Sequence, residues 1–157
     1  MGEPSISTKN VIEFSNVSVG ILIKALTRKK KTIRLKARGI SMFPAIRNKD
    51  IITIAPLNDY EPETGDIVVC IDKSNQNVVI HRIIKKFENT VKTKGDFCFL
   101  SDGIYPLESV TGYILKIEND LKFSYFSINI RYKKLFAFLS RVNVLTFAVR
   151  FLKKIYL

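Results

Sequence analysis

Apolar residues recur at helical spacing through "VIEFSNVSVGILIKALTRKKK", Val11 to Lys31, at Val11, Ile12, Phe14, Val17, Val19, Ile21, Leu22, Ile23 and Leu26. The pattern predicts an amphipathic helix, although its β-branched residues lower the intrinsic propensity. The cations Arg28 to Lys31 close it, as the negative end of the helix dipole favours. From Thr32 the period drops to two. "TIRLKARGI" sets Ile33, Leu35 and Ala37 against Arg34, Lys36 and Arg38, which predicts a strand with one buried face. "DIITIAPL" and "GDIVVCI" follow as short β-branched runs, separated by the acidic, turn-rich "NDYEPETGD". "NVVIHRIIKKF", "TVKTKGD", "FCFL", "VTGYILKIE" and "LKFSYFSINI" carry the same pattern to about residue 130.

Helical spacing returns in "RYKKLFAFLSRVNVLTFAVRFLKKIYL", whose longest uncharged stretch is Val142 to Val149. Neither this tail nor the first helix reaches the roughly 20 apolar residues of a bilayer crossing. Three segments result: an N-terminal helical segment, 1–31; a β core, 32–130; and a helical tail, 131–157. Short strands with turn signals roughly every ten residues predict a mainly β, partly barrel-like core.

The 157 residues suffice for about one hydrophobic core. With 46% hydrophobic and 25% charged residues, the composition is globular rather than disordered. The net charge of +12 is unevenly placed. Residues 1–50 hold 11 basic and 3 acidic side chains, residues 51–130 hold 8 and 11, and residues 131–157 hold 7 and none. A near-neutral centre with basic flanks differs from a uniformly cationic nucleic-acid binder, and no helix-turn-helix precedes the core. Phosphate-directed nucleic-acid binding is therefore the weaker reading of the charge. Two readings of the tail stay open: an interfacial helix on an anionic membrane surface, or a helix pair covering the β core or a dimer partner.

Cys70 and Cys98 stand outside any CxxC pair and read as free core thiols. One histidine cannot complete a familiar zinc spacing with them, so neither metal nor other cofactor is expected. "MGEPSISTKN" is not a secretory signal, so the expected location is the cytoplasm or the cytoplasmic face of the membrane.

Candidate chemistry begins at "KARGISMFPAIRNKD". Ser41 lies between apolar neighbours just before a proline, and is either a turn residue or a nucleophile held at a strand end. A serine hydroxyl is inert at neutral pH without a base. His81, the single histidine, lies in a predicted strand; it is either a packed imidazole or that base. Asp96 and Asp102, in "KTKGDFCFLSDG", are either turn aspartates or the group that orients the imidazole.

Taken in order, "GISMFPAIRNKD", "GDIVVC", "VVIHRII", "TKGD" and "SDG" resemble the signal peptidase I superfamily of serine peptidases, over about residues 33–118. The resemblance implies a mostly β fold with Ser41 as nucleophile at the mouth of an extended groove. The common bacterial branch and the LexA-type repressors use a lysine as base. The archaeal and endoplasmic-reticulum branch uses a histidine in an "HR" box, which matches His81. That branch also implies Asp102 as the third triad member and Asp96 as a brace. Met42 and Pro44 would fix the strand end that presents Ser41.

Gly39 stands where many signal peptidases carry a serine that helps hold the oxyanion, so the hole is expected from backbone N–H groups, chiefly that of Ser41. Lys49 stands where the family usually has glycine, and the family's usual transmembrane anchor is not expected from these apolar stretches, which are too short to span a bilayer. The implied partner is an extended peptide with small residues near the cleaved bond. The implied activity is serine endopeptidase cleavage of leader or signal peptides. The alternative is a catalytically inactive peptide-binding module of the same fold.

Overall fold

A computed structural model of the chain describes residues 16–58, 60–71, 77–118 and 132–156. The strand expected over 121–130 and the beginning of the first predicted helix, 11–15, lie outside these residues. Helix α1 spans Asn16–Arg28, and seven strands follow: β1 Ile33–Lys36, β2 Ile51–Pro56, β3 Ile67–Ile71, β4 Val78–Lys86, β5 Thr90–Lys94, β6 Gly103–Pro106 and β7 Val110–Glu118. A short 3-10 turn, Leu107–Ser109, separates the last two. Helices α2, Lys133–Arg141, and α3, Val144–Tyr156, end the chain.

The strands form one antiparallel sheet in the order β1-β2-β7-β3-β4-β5-β6. β1 and β6 are its two edges, so the sheet curls without closing. Register shifts at Thr53/Ile54, Val69/Cys70 and Ile83/Lys85 supply the curl, because an extra residue bends its strand and increases the local twist.

Why β3 carries the unbroken apolar run "IVVCI" follows from this curl. Ile67 and Val69 point into a core shared with Ile23 of α1, Met42, Ala45 and Ile46 of the Ser41 turn, and Ile52, Ile54, Ile114 and Ile117. Val68 and Cys70 point the other way, into a second cluster with Ile83, Val91 and Val110. A strand buried on both faces loses the apolar–polar alternation of a one-sided strand. Ile23, Ile54, Val68 and Val69 are fully buried, each worth about 1.5–3 kcal/mol relative to exposure.

Two sequence readings shift. "FCFL", expected as a strand, is a turn and bend between β5 and β6. "GIYP", which carries turn residues at both ends, is strand β6; Pro106 sits at its end on a sheet edge, where a missing N–H is tolerated.

Helix α2 packs onto the sheet at β4, and α3 packs against α2. Ala137 and Ser140 of α2 are buried, and the Arg82 guanidinium lies 5.6 Å from the Phe136 ring. Lys133, at the start of α2, binds Asp66 and Glu63, each at 3.0 Å. Burial alone would lower the Lys133 pKa, but these two carboxylates outweigh it and hold the ammonium above its usual range. Asp66 also accepts from the Tyr60 hydroxyl at 2.6 Å; burial first, then this bond, push Tyr60 up to about 12. Among the described residues no helix is long and apolar enough to cross a membrane.

Candidate active site

Ser41 opens a turn that the core holds from below. Met42 is 4% exposed, and Ala45 and Ile46 are equally buried. The Ile46 N–H donates to the Met42 carbonyl at 2.9 Å, and the Phe43–Pro44 peptide is cis. The strand-like approach and exit are tied together: Lys49 N–H donates to Ala37 O, and Ala37 N–H to Asp50 O. The buried Asp50 carboxylate accepts the Arg47 N–H at 2.8 Å.

Gly39 has φ +92°, in the region that favours glycine, and its N–H donates to the Asn48 side chain. Lys49 has φ +77°, a left-handed backbone held here by a lysine at a local cost of about 1–2 kcal/mol.

His81 reaches this turn from β4. Its Nε2 is 2.9 Å from Ser41 Oγ, and its Nδ1 is 2.6 Å from Asp102 Oδ2. The Thr93 hydroxyl of β5 donates to the same Asp102 oxygen at 2.8 Å, and Asp102 N–H donates to Thr93 O at 3.0 Å. The His81 and Asp102 side chains are 12% and 18% exposed, enough for a substrate to approach and little enough to limit screening. A carboxylate on Nδ1 holds the proton there and leaves Nε2 free to accept from a hydroxyl. The three residues are 40 and 21 positions apart in sequence, yet form one hydrogen-bonded line.

The model of the family described as Peptidase S24-like matches residues 1–95, which include Ser41 and His81. The chain belongs to the Peptidase S24-like family. No curated protein matches the chain.

In this Peptidase S24-like chain a lysine of the same region is turned away from Ser41. Lys94 is buried, and its Nζ donates to the Ser140 carbonyl of α2 at 2.7 Å. Burial lowers its pKa, against the pull of nearby Asp96. The Cys98 thiol, in the same region, is pushed up by burial and then by the Asp102 charge, so it stays protonated at neutral pH. Among the described residues no three His, Cys, Asp or Glu side chains converge as a metal site.

The second carboxylate, Asp96, does not touch the His81–Ser41 line. It takes two hydrogen bonds from Arg82, at 2.9 and 2.7 Å, and both side chains are essentially inaccessible, at 0% and 1%. A third bond joins Arg82 to the Gly65 carbonyl. His81 and Arg82 are adjacent on a strand, so they point to opposite faces: one to the site, the other to the interior. Asp96 thus anchors the start of the loop that ends at Asp102.

Two further residues serve the site that sequence reasoning did not single out. The Thr146 hydroxyl of α3 is 3.1 Å from both the Asp96 and Cys98 carbonyls, and Thr146 is fully buried. A threonine in an apolar helix carries no sign of such a partner. Gly95 lies against Ser41, and the Phe97 N–H two residues on donates to Ser41 O at 2.8 Å. A Cβ on Gly95 would stand 2.6 Å from Ser41 O, 2.7 Å from Cys98 Sγ and 3.0 Å from His81 Nε2.

Gly95→Ala should therefore push the serine turn away from the imidazole. A displacement of about 1 Å costs on the order of 10²-fold in rate, with much less effect on substrate binding. Steady-state kinetics on any cleaved peptide checks this: kcat should fall while KM moves little.

Proposed function

We propose that the chain is a serine endopeptidase of the signal-peptidase type that cuts leader or signal peptides in an extended conformation. The observation that carries this reading is the Ser41 Oγ–His81 Nε2 contact of 2.9 Å, with the other imidazole nitrogen on Asp102. Family membership and the order of the boxes point the same way.

In this mechanism Ser41 Oγ attacks the scissile carbonyl carbon while His81 Nε2 takes its proton. Asp102 supports the imidazolium, and the Thr93 hydroxyl keeps the carboxylate in place. The oxyanion is held by backbone N–H groups, chiefly that of Ser41. The C–N bond then breaks as His81 gives the proton to the leaving amine. A water, deprotonated by His81, hydrolyses the Ser41 acyl ester and restores the hydroxyl. No step needs a metal or cofactor.

An open stretch of β4 supports the extended substrate. β5 ends at Lys94, opposite Arg82, so Val78 to His81 have β3 on one side and no strand among the described residues on the other. A peptide adding to this edge would pair its backbone there and pass its cleaved bond beside His81 and Ser41.

Digestion of a mixed peptide library, with cut sites mapped by mass spectrometry, tests the reading. Cuts after small residues such as alanine, glycine or serine are expected, and none with His81→Ala. A library left uncut, or cut equally by the His81→Ala chain, would overturn it.

A further inference from the structure

Beside the site lies a surface the peptidase chemistry does not use. A groove of about 490 Å³ runs between β4, β5 and β6 and the loop 97–102. Its apolar wall is Phe87, Phe99, Leu100 and Ile104; its charged groups are Lys85, Lys92 and Arg141, the buried Lys94 ammonium behind them being bonded to Ser140 O, and no acid is among the lining residues.

The apolar wall continues onto α3. Phe99 meets Phe147 edge-on, with ring centroids 5.4 Å apart, and the Arg150 guanidinium lies 4.2 Å from the Phe99 centroid. Phe151 follows Phe147 by one helical turn. Leu100, Phe147 and Phe151 are 83%, 63% and 67% exposed, where solvated aromatics on a helix would ordinarily be covered. The result is a ridge of large apolar side chains flanked by cations, in a segment, 131–157, that has seven basic residues and no acidic one.

We propose that this ridge docks the chain on an anionic membrane surface and sets the loop that carries Asp102 at that surface. Charge complementarity selects this occupant. A protein partner would cover the aromatics, but nothing in that would require the charges lining the groove and those of 131–157 all to be positive. In an acidic bilayer interface the rings enter the acyl boundary, and Lys and Arg stay with the phosphates. The groove supplies the same pair of properties for a lipid headgroup and its first carbons. This inference stands without the peptidase reading, because it concerns binding alone.

Co-sedimentation of the full chain with vesicles tests it. Binding should be strong to vesicles of phosphatidylcholine and phosphatidylglycerol in equal parts, weak to phosphatidylcholine alone, and reduced by added salt. The exposed double variant Phe147→Ser/Phe151→Ser should lower binding by at least about tenfold, since two buried aromatics are lost from the interface. Leu100→Asp, on a different element, should do the same. Ser41→Ala should bind as the unmodified chain does, which separates docking from catalysis. The proposal is overturned if the chain ignores the mixed vesicles, or if both ridge variants bind them unchanged. It is equally overturned if the chain is a dimer in solution that Phe147→Ser/Phe151→Ser makes monomeric, for then a second copy covers the ridge.

Discussion

Arg82→Ala is expected to lower folding stability by about 3–5 kcal/mol, a large part of the whole for a chain of this size. The guanidinium makes two bonds to Asp96 and one to Gly65 O, in a site closed to the surface. Its removal leaves the Asp96 carboxylate buried, charged and without that partner, and also opens a cavity beside Phe136. The attraction between the two ions largely offsets what it costs to bury them, so replacing both should be milder than removing one. Arg82→Met/Asp96→Leu should recover much of the stability that Arg82→Ala loses. Denaturant midpoints for the three chains measure this. A loss under about 1 kcal/mol for Arg82→Ala, the range of an exposed ion pair, would show that the pair is not the buried anchor described above.

Much of the fold could be read from hydrophobic period alone. α1 and the strands β1, β2, β4, β5 and β7 fall where the apolar residues change from helical to alternate spacing, and β3, buried on both faces, shows as an unbroken apolar run. "FCFL" misleads because its residues have strand propensity but their N–H groups are taken locally. Phe97 donates to Ser41 O and Cys98 to Gly95 O, and the Phe99 ring packs on α3 instead of in a sheet face. β6 escapes notice for the opposite reason: Gly103 and Pro106 look like turn residues, and only pairing with β5 makes the segment a strand.

The candidate site was legible in the three side chains that converge there and not in their supports. Ser41, His81 and Asp102 are marked by residue type and by the order of the boxes, and the fold brings them together. Nothing local indicates that Arg82 and Lys94 turn inward, since charged residues in strands ordinarily face water. Thr93 and Thr146 are likewise ordinary strand and helix residues until their partners, nine and fifty positions away, are seen.

Ser41→Ala is expected to reduce peptide cleavage by about 10⁴-fold or more, and His81→Ala by a similar factor. Each removes a different part of one proton-transfer line, so the double variant should be scarcely slower than either single one. The residual rate would come from substrate binding and oxyanion contacts alone. Neither change empties the core, because Ser41 and His81 are only partly buried; both chains should fold, and the loss should lie in kcat.

The most direct measurement is covalent labelling by a fluorophosphonate, which captures a serine only where a base has made it nucleophilic. Intact mass and peptide mapping should find one adduct, on Ser41, in the unmodified chain and none in His81→Ala. A folded unmodified chain that takes no adduct, or a His81→Ala chain labelled at the same rate, would contradict the assignment of Ser41 as an activated nucleophile.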